Sequence, residues 1–299
     1  MKSSDTPDCP LCAASAAAPI ASFGPQIQIY LCPECRVEFA VYPPERSSDC
    51  DHFEGLDAEM YSRSVKATRE ASYGTLLAHV SAQVKGGRWL DVGCSYGWLL
   101  ERVQAEGYDG YGVEPSGGAV AAARQKGLKV TAGIYPDVVG DGPPYSVISF
   151  IDVLEHLPEP RAVLEESRRH LAKDGVVAIQ VPDQACLLHA LAKNMCRWSG
   201  GRLDFAYRRL WLIGLDFPHR FYFNRFALER VLTGAGYEVV DWYRAPIGAP
   251  GQARDRVGYM KGQTHAALPL VAAGVAAINA FDNFTGHGGL LVVIARPKG

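Results

Sequence analysis

The chain has 299 residues, of which 48% are hydrophobic and 21% charged, which suits one globular domain of ordinary size plus a small appendage. Its formal net charge is −2, so it lacks the basic surplus typical of a nucleic-acid-binding protein. The sequence shows neither a secretory signal nor an apolar run of about 18 residues that could span a membrane. These features predict a cytoplasmic protein.

Four of the eight cysteines form two Cys-x-x-Cys pairs near the start of the chain, with 19 residues between the pairs. This spacing is typical of a zinc ribbon, in which two turns present four thiolates to one tetrahedral ion. Short strands are predicted at residues 26–31 and 37–42. We predict a structural Zn²⁺ in residues 1–44, because four thiolates leave no open position for water; two redox-active dithiols are the alternative. The predicted ligands are Cys9, Cys12, Cys32 and Cys35.

Residues 45–87 are predicted to form a polar linker and one helix from about residue 58 to residue 84. From residue 88 onward, strand and helix patterns alternate. The predicted strands are residues 89–92, 110–113, 129–131, 146–151, 176–181, 237–243 and 289–295. The pattern predicts an α/β, Rossmann-like fold, with a mostly parallel sheet of about seven strands and helices on both faces.

Two insertions interrupt the alternation within the domain predicted for residues 88–299. They span about residues 183–220 and 244–286, and we expect both to be helical. We expect the two insertions to form a cap over a ligand, because their aromatic residues suit an apolar or ring-bearing molecule. A helical subdomain that packs on its own core or on a second subunit is the alternative. These aromatic residues are Trp198, Phe205, Tyr207, Trp211 and Phe217.

A glycine-rich turn follows the first strand of this domain, at residues 90–97 (Leu-Asp-Val-Gly-Cys-Ser-Tyr-Gly). Gly93 and Gly97 let the backbone approach a ligand at the carboxyl end of the strand. Glu114 ends the second strand, 21 residues after Gly93, where a carboxylate can accept hydrogen bonds from ribose hydroxyls. The spacing Asp-x-Gly-x-x-x-Gly differs from the Gly-x-Gly-x-x-Gly of NAD sites and favours a ligand without a diphosphate. A tight turn without a ligand is the alternative.

Residues 90–97, 112–115 (Gly-Val-Glu-Pro) and 151–158 (Ile-Asp-Val-Leu-Glu-His-Leu-Pro) resemble the successive motifs of class I S-adenosylmethionine-dependent methyltransferases. The resemblance is close over residues 88–181 and loose in the last two strands. The cysteine module resembles one found in a subgroup often linked to small-molecule, sugar or lipid-like acceptors. The resemblance implies an enzyme that binds S-adenosylmethionine.

The same resemblance implies a set of cofactor-binding positions. The acidic residue that many family members carry near the adenine is not apparent. The implied residues are Asp91 and Gly93 at the methionine end, Cys94 and Gly97 in the same loop, Glu114 on the ribose with Pro115 beside it, Gly133 and Ile134 near the adenine, and Asp152 and Val153 beside the sulfonium.

Two histidines are candidates for a catalytic base, which is needed when the acceptor must lose a proton. His156 follows the fourth strand, and a structural role in the neighbouring loop is its alternative. His219 resembles part of a His-aromatic segment of the subgroup, and we expect it to begin the helix after the first insertion. Asp152, Glu155 and His156 also resemble a metal-binding cluster of some quinone O-methyltransferases, which would suit Mg²⁺ or Mn²⁺.

The function predicted from the sequence is methyl transfer to an oxygen, nitrogen or carbon of a small-molecule acceptor. An rRNA methyltransferase with a zinc module is the alternative within enzymes, although the near-neutral charge counts against it. A non-catalytic scaffold is the alternative outside enzymes, and the intact cofactor motifs oppose it. The loop spacing disfavours a dehydrogenase. A homo-oligomer is compatible with the sequence.

Overall fold

The computed structural model describes residues 6–16, 18–24, 27–43, 58–215, 217–247, 268–286 and 288–299. The strands are β1 (Ala21–Phe23), β2 (Ile27–Leu31), β3 (Glu38–Val41), β4 (Gly87–Val92), β5 (Tyr108–Glu114), β6 (Lys129–Ala132), β7 (Tyr145–Ile151), β8 (Leu171–Pro182), β9 (Phe221–Tyr222), β10 (Tyr237–Ala245) and β11 (Leu290–Pro297). The helices are α1 (Ala58–Gln83), α2 (Trp98–Ala105), α3 (Gly117–Gln125), α4 (Pro160–His170), α5 (Leu187–Trp198), α6 (Phe205–Leu210), α7 (Arg225–Gly234) and α8 (Leu268–Phe284), with a 3₁₀ turn at Leu154–His156.

The main sheet has seven strands within the described residues, in the order β10-β11-β8-β7-β4-β5-β6. Neighbouring strands from β8 to β6 are parallel, whereas β11 runs antiparallel to both β8 and β10. The order reverses at β4, where the chain first winds out to β6 and then returns to β7. In open α/β sheets, ligands bind at the carboxyl ends of strands beside such a reversal. The Rossmann-like fold is therefore confirmed.

The central strands are buried on both faces, which explains their almost continuous apolar sequences. In β8, Val177 and Ile179 face a core cluster shared with α4 and α7, whereas Val176 and Ala178 face a second cluster shared with α1, α2 and α3. Helices therefore cover both faces of the sheet. No described helix has the length and apolar character needed to cross a bilayer.

The cysteine-containing segment forms its own small antiparallel sheet, in the order β1-β2-β3-β9. Its fourth strand, β9, comes from the end of the first insertion and pairs with β3. Phe23 and Ile29 of the ribbon share a core with Tyr207, Trp211 and Tyr222. The ribbon and the first insertion are thus packed together as one layer beside the main sheet.

The first insertion is helical, as predicted, with α5 and α6 as its helices. Of its aromatic residues, Tyr207 and Trp211 pack on the ribbon, whereas Trp198 and Phe205 are exposed. Phe217 instead lies beside His156, with ring centroids 6.0 Å apart. Tyr207 and Trp211 therefore belong to the core shared with the ribbon, and a cap over a ligand stays a prediction for the insertions.

The prediction that His219 begins a helix is wrong. His219 lies in a loop before β9, and helix α7 begins six residues later at Arg225. Asn224 caps α7, because its side-chain oxygen accepts a hydrogen bond from the amide of Ala227 at 2.9 Å. Phe221 and Tyr222 pair with β3 of the ribbon instead of extending the helix.

The second predicted insertion ends in helix α8 (Leu268–Phe284), as expected. Its part at residues 248–267 lies outside the described residues, as do the predicted linker residues 45–57.

Candidate functional site

The loop after β4 turns sharply at the carboxyl edge of the sheet. The amides of Gly93 and Cys94 both donate to the carbonyl of Val113, at 2.8 and 3.2 Å. Gly93 has φ 70°, and a Cβ built on it would lie 2.6 Å from a methyl group of Val153. Only glycine therefore lets this loop meet the loop after β7 without a shift. The two loops form adjoining walls of one site.

Glu114 lies at the end of β5 and faces the same loop. Its carboxylate accepts hydrogen bonds from the amides of Ser95 and Ser116, both at 2.8 Å. Ser95 has φ 51°, a conformation that aims its amide at this carboxylate. The side chain is only 8% exposed and is held in one orientation by backbone donors.

Asp91 is buried beneath the loop, with 4% of its surface exposed. One carboxylate oxygen accepts a hydrogen bond of 2.6 Å from Ser149, whose hydroxyl in turn accepts one from the indole of Trp89. Burial raises the pKa of Asp91 to about 7, although the hydrogen bond from Ser149 opposes the shift. The carboxyl is thus poised between its two protonation states near neutral pH, and a cation beside it would favour ionisation.

Asp152 follows β7 with φ 55° and is fixed by two side chains that were not predicted from the sequence. Arg69 of α1 lies 3.2 Å from one carboxylate oxygen, and Gln180 of β8 donates to the other at 3.1 Å. Gln180 could have been noticed as a polar residue in an apolar strand. No signal marked Arg69, because its partner lies 83 residues further along the chain.

The other implied cofactor residues differ in their surroundings. The Cys94 side chain is buried in the core, so only its backbone contributes to the loop surface. Gly97 packs against Leu128 and is the N-cap residue of α2. Pro115 is exposed, the amide of Gly133 donates to the carbonyl of Glu114 at 3.0 Å, and Ile134 is 60% exposed. These last positions border an open side of the site.

The two predicted histidines, His156 and His219, lie close to each other and to Glu155. The rings of His156 and His219 lie 4.8 Å apart, and each of the three residues offers an atom within 4.8 Å of the others. Neither carboxylate oxygen of Glu155 nor Nδ1 of His219 has a hydrogen-bond partner among the described residues. Buried polar atoms without partners are costly and commonly indicate a functional group. Asp152 is held by Arg69 and Gln180 rather than by this cluster.

All three groups of this cluster are driven toward their neutral forms. Burial lowers the pKa of His156 to about 4, and burial together with the nearby His156 lowers the pKa of His219 well below its ordinary value. Burial and the charge of Asp152 raise the pKa of Glu155. These shifts favour neutral imidazoles at His156 and His219 and shift Glu155 toward its protonated form.

The four predicted zinc ligands converge in the ribbon as free thiols. The Sγ atoms of Cys9 and Cys35 are 3.7 Å apart, and those of Cys12 and Cys32 are 3.4 Å apart. The two Cys-x-x-Cys turns have the same backbone geometry. The residue that follows each pair has φ near 60°. The amide of Ala13 donates to the carbonyl of Cys9 at 2.8 Å, and the amide of Arg36 donates to the carbonyl of Cys32 at 3.1 Å.

A buried polar network joins the ribbon to the first insertion. Glu38 of β3 has no exposed surface and receives hydrogen bonds from Lys193 and Tyr207 at 2.7 Å and from Gln184 at 2.8 Å. His189 lies 3.0 Å from its other side. Burial alone would raise the pKa of Glu38, but His189 and Lys193 outweigh it and lower the pKa to about 2. An ionised Glu38 thus ties three elements together.

Comparison with known proteins identifies the family to which this fold belongs. A family described as "Methyltransferase domain" matches residues 65–241. The ubiquinone biosynthesis O-methyltransferase of Methylococcus capsulatus is 34% identical over 105 residues, which are 33% of this chain and 43% of that protein. The match therefore spans less than half the length of this relative.

Solved methyltransferase structures share the fold. One was determined in complex with the Trm112 methyltransferase activator of Haloferax volcanii, with 15% identity, a TM-score of 0.55 and coverage of 83% of this chain and 98% of the other. The plantazolicin methyltransferase BpumL, in complex with S-adenosylhomocysteine, shows 16% identity, a TM-score of 0.53 and coverage of 84% and 92%. The chain belongs to the methyltransferase domain family and is a class I S-adenosylmethionine-dependent methyltransferase.

Proposed function

We propose that this enzyme methylates a hydroxyl oxygen of a ring-bearing or lipid-like small molecule. The observation that carries the proposal is the neutral pair of half-buried His156 and buried His219 beside the loop of Asp152. The relative named for ubiquinone biosynthesis is an O-methyltransferase, which supports the same acceptor atom.

The charges around the glycine-rich loop fit S-adenosylmethionine, which supplies an electrophilic methyl group on a positively charged sulfur. Asp91, Glu114 and Asp152 place three carboxyl groups around one loop, which suits a cationic ligand and disfavours a diphosphate. Asp91 would bind the amino group, Arg69 the carboxylate, and Glu114 the ribose hydroxyls. The further residues proposed to line this pocket are Gly93, Cys94, Gly97, Pro115, Gly133, Ile134 and Val153.

On the acceptor side, a neutral imidazole can take the proton of a hydroxyl group while its oxygen bonds to the methyl carbon. Nδ1 of His219 is available among the described residues, and burial keeps bulk water away from it. A charged imidazolium would repel the nearby sulfonium, so the depressed pKa values favour this role. A weakly basic imidazole is best matched to an acidic hydroxyl, such as that of a phenol.

The ribbon is proposed to hold a structural zinc ion. A tetrahedral site with Zn–S bonds of about 2.3 Å has sulfur–sulfur edges of about 3.8 Å. The separations of 3.7 and 3.4 Å between paired sulfurs fit such a site. Because β9 completes the ribbon sheet, zinc in residues 1–44 would also stabilise the methyltransferase part in residues 88–299, which is joined to it through residues 45–87.

The experiment is transfer of a labelled methyl group from S-adenosylmethionine to a panel of phenols and catechols, including polyprenylated ones. We expect methyl ethers from the wild type and a kcat lower by about 10²–10⁴-fold in His219→Ala. The affinity of this variant for S-adenosylhomocysteine should stay within about twofold of the wild type.

His170→Ala is the matched control, because His170 lies on α4 and bonds Tyr135, away from the two histidines. It should keep full turnover. Full turnover in His219→Ala, or label found only on nitrogen, carbon or RNA, would contradict the proposal.

A further inference from the structure

The end of the first insertion projects large apolar side chains into solvent. We define the tip as residues 197–205, which join α5 to α6. Trp198 is 85% exposed, Phe205 56% and Leu203 49%. Large apolar side chains that cluster on a surface, in contrast to scattered ones, commonly mark an interaction site.

Hydrogen bonds fix the backbone of the tip that carries these exposed side chains. The amide of Gly201 donates to the carbonyl of Cys196 at 2.8 Å, and that of Leu203 donates to the hydroxyl of Ser199 at 2.9 Å. Tyr207, one turn into α6, anchors the tip to buried Glu38 at 2.7 Å. The exposed residues are thus presented by backbone that is fixed on both sides.

The surroundings of the tip are basic, although the whole protein is slightly acidic. Residues 187–211 contain five basic residues and one acidic residue. Lys193 pairs with buried Glu38 and Arg208 pairs with Asp204, so the positive charge of the tip itself comes from Arg197 and Arg202. Arg197 and Arg202 are exposed at the tip itself, and neither forms an ion pair within the described part of the chain. The chemistry that complements this surface is therefore both apolar and anionic.

An open, mostly apolar cavity of about 200 Å³ borders the tip. It is lined by Ile20, Ala21 and Ser22 of the ribbon and by Cys196, Arg197, Gly200 and Gly201. The cavity places a guanidinium group next to a small apolar recess. Such a recess can receive a hydrocarbon chain whose anionic head group stays at the arginine.

We propose that the tip binds the surface of a bilayer that contains anionic phospholipids. Trp and Arg side chains flanked by Leu and Phe are the residues that settle at the boundary between head groups and acyl chains. An RNA partner would match the charge but leave Leu203 and the apolar cavity without a complement. Binding of the tip to a bilayer does not depend on the identity of the methyl acceptor, although a lipid-like acceptor would explain why the enzyme binds a membrane.

The test is co-sedimentation of the full chain with vesicles of phosphatidylcholine, alone or mixed with phosphatidylglycerol. We expect binding only to the mixed vesicles, weakened by about 0.5 M salt. Trp198→Ala should reduce partitioning by about tenfold or more, because it removes the largest apolar side chain that would enter the bilayer. The double variant R197E/R202E should reduce it by about 25-fold or more, since each basic residue near an anionic surface contributes about a fivefold effect.

Two matched controls should bind like the wild type: Phe226→Ala, which removes a residue that is 53% exposed on α7, and R102E/K173E, which reverses two exposed charges elsewhere. Calorimetry with S-adenosylhomocysteine on every variant checks that the fold is intact and reports on the cofactor site separately. The proposal is overturned if the wild type ignores both vesicle types, or if Trp198→Ala and Phe226→Ala bind equally. It is also overturned if the tip mediates a dimer that Trp198→Ala dissociates, or binds RNA instead of vesicles.

Discussion

We expect the protonation state of Asp91 to make cofactor binding depend on pH. Burial raises the pKa of this carboxyl from 3.8 to about 7, while its hydrogen bond from Ser149 survives in either state. If the ionised form is needed to bind the ammonium group of the ligand, the apparent affinity follows the ionised fraction. That fraction rises from about 3% at pH 5.5 to about 76% at pH 7.5, a factor of about 25.

The assay is calorimetric titration with S-adenosylhomocysteine, whose amino acid end matches that of the methyl donor. Between pH 5.5 and pH 7.5 the dissociation constant should fall by about 25-fold in the wild type. Asp91→Asn should lose this dependence and bind about 10–100-fold more weakly at pH 7.5, which corresponds to the about 1.5–3 kcal/mol of a charge-assisted hydrogen bond.

Asp109→Asn is the matched control, because Asp109 is exposed, pairs with Lys129 and lies at the other end of β5. It should keep the wild-type affinity and pH profile. A flat profile in the wild type, or an unchanged profile in Asp91→Asn, would refute this account of the pocket.

The raised pKa of Asp91 also affects the stability of the protein without ligand. It stabilises the fold at low pH, and the free energy of unfolding should fall as pH rises from about 4 through about 7.

Three further predictions concern the loop, the buried network and the ribbon. Gly93→Ala should destabilise the fold by about 2–3 kcal/mol in urea, because its Cβ would lie 2.6 Å from Val153 at a positive φ; an unchanged midpoint would refute the close approach. Glu38→Gln should cost about 3 kcal/mol, because it leaves half-buried Lys193 without a counter-charge, and a change below about 1 kcal/mol would show that the network contributes little. Cys32→Ser should abolish bound zinc, measured by atomic absorption, and lower the Tm as a chelator does for the wild type; zinc retained at one ion per chain would contradict a four-thiolate site.

Much of the fold could be predicted because its signals are local. The second half of β8, residues 176–181, is a nearly continuous apolar run, and the glycine-rich turn before α2 identifies the carboxyl edge of the sheet. The acidic end of β5 then places Glu114 without any knowledge of tertiary contacts. These patterns reflect burial on both faces and backbone geometry, which are encoded within a few neighbouring residues.

The contacts that position the site could not be predicted in the same way, because they join distant parts of the chain. Asp152 depends on Arg69 and Gln180, which are 83 and 28 residues away. The strand at Phe221–Tyr222 pairs with β3 of the ribbon, and no local pattern around His219 indicated this pairing. Tertiary pairing overrides local propensity in such short segments.

The aromatic residues of the first insertion illustrate the same limit. Their composition suits a ligand cap, but composition does not specify which side of a helix meets a partner. In the structure Tyr207 and Trp211 complete the core of the ribbon, and Trp198 lies on the opposite, exposed side. The ribbon sheet, in which β9 pairs with β3 from a distant part of the chain, determines which of these aromatic residues are buried.

The most direct test of the proposed site is an experimental structure of the protein with S-adenosylhomocysteine bound. We predict ligand density at the carboxyl ends of β4, β5 and β7, with the amino group at Asp91, the ribose at Glu114 and the sulfur facing the loop of Asp152. Density elsewhere, for example in the separate cavity lined by Arg88 and Tyr111, would contradict the account.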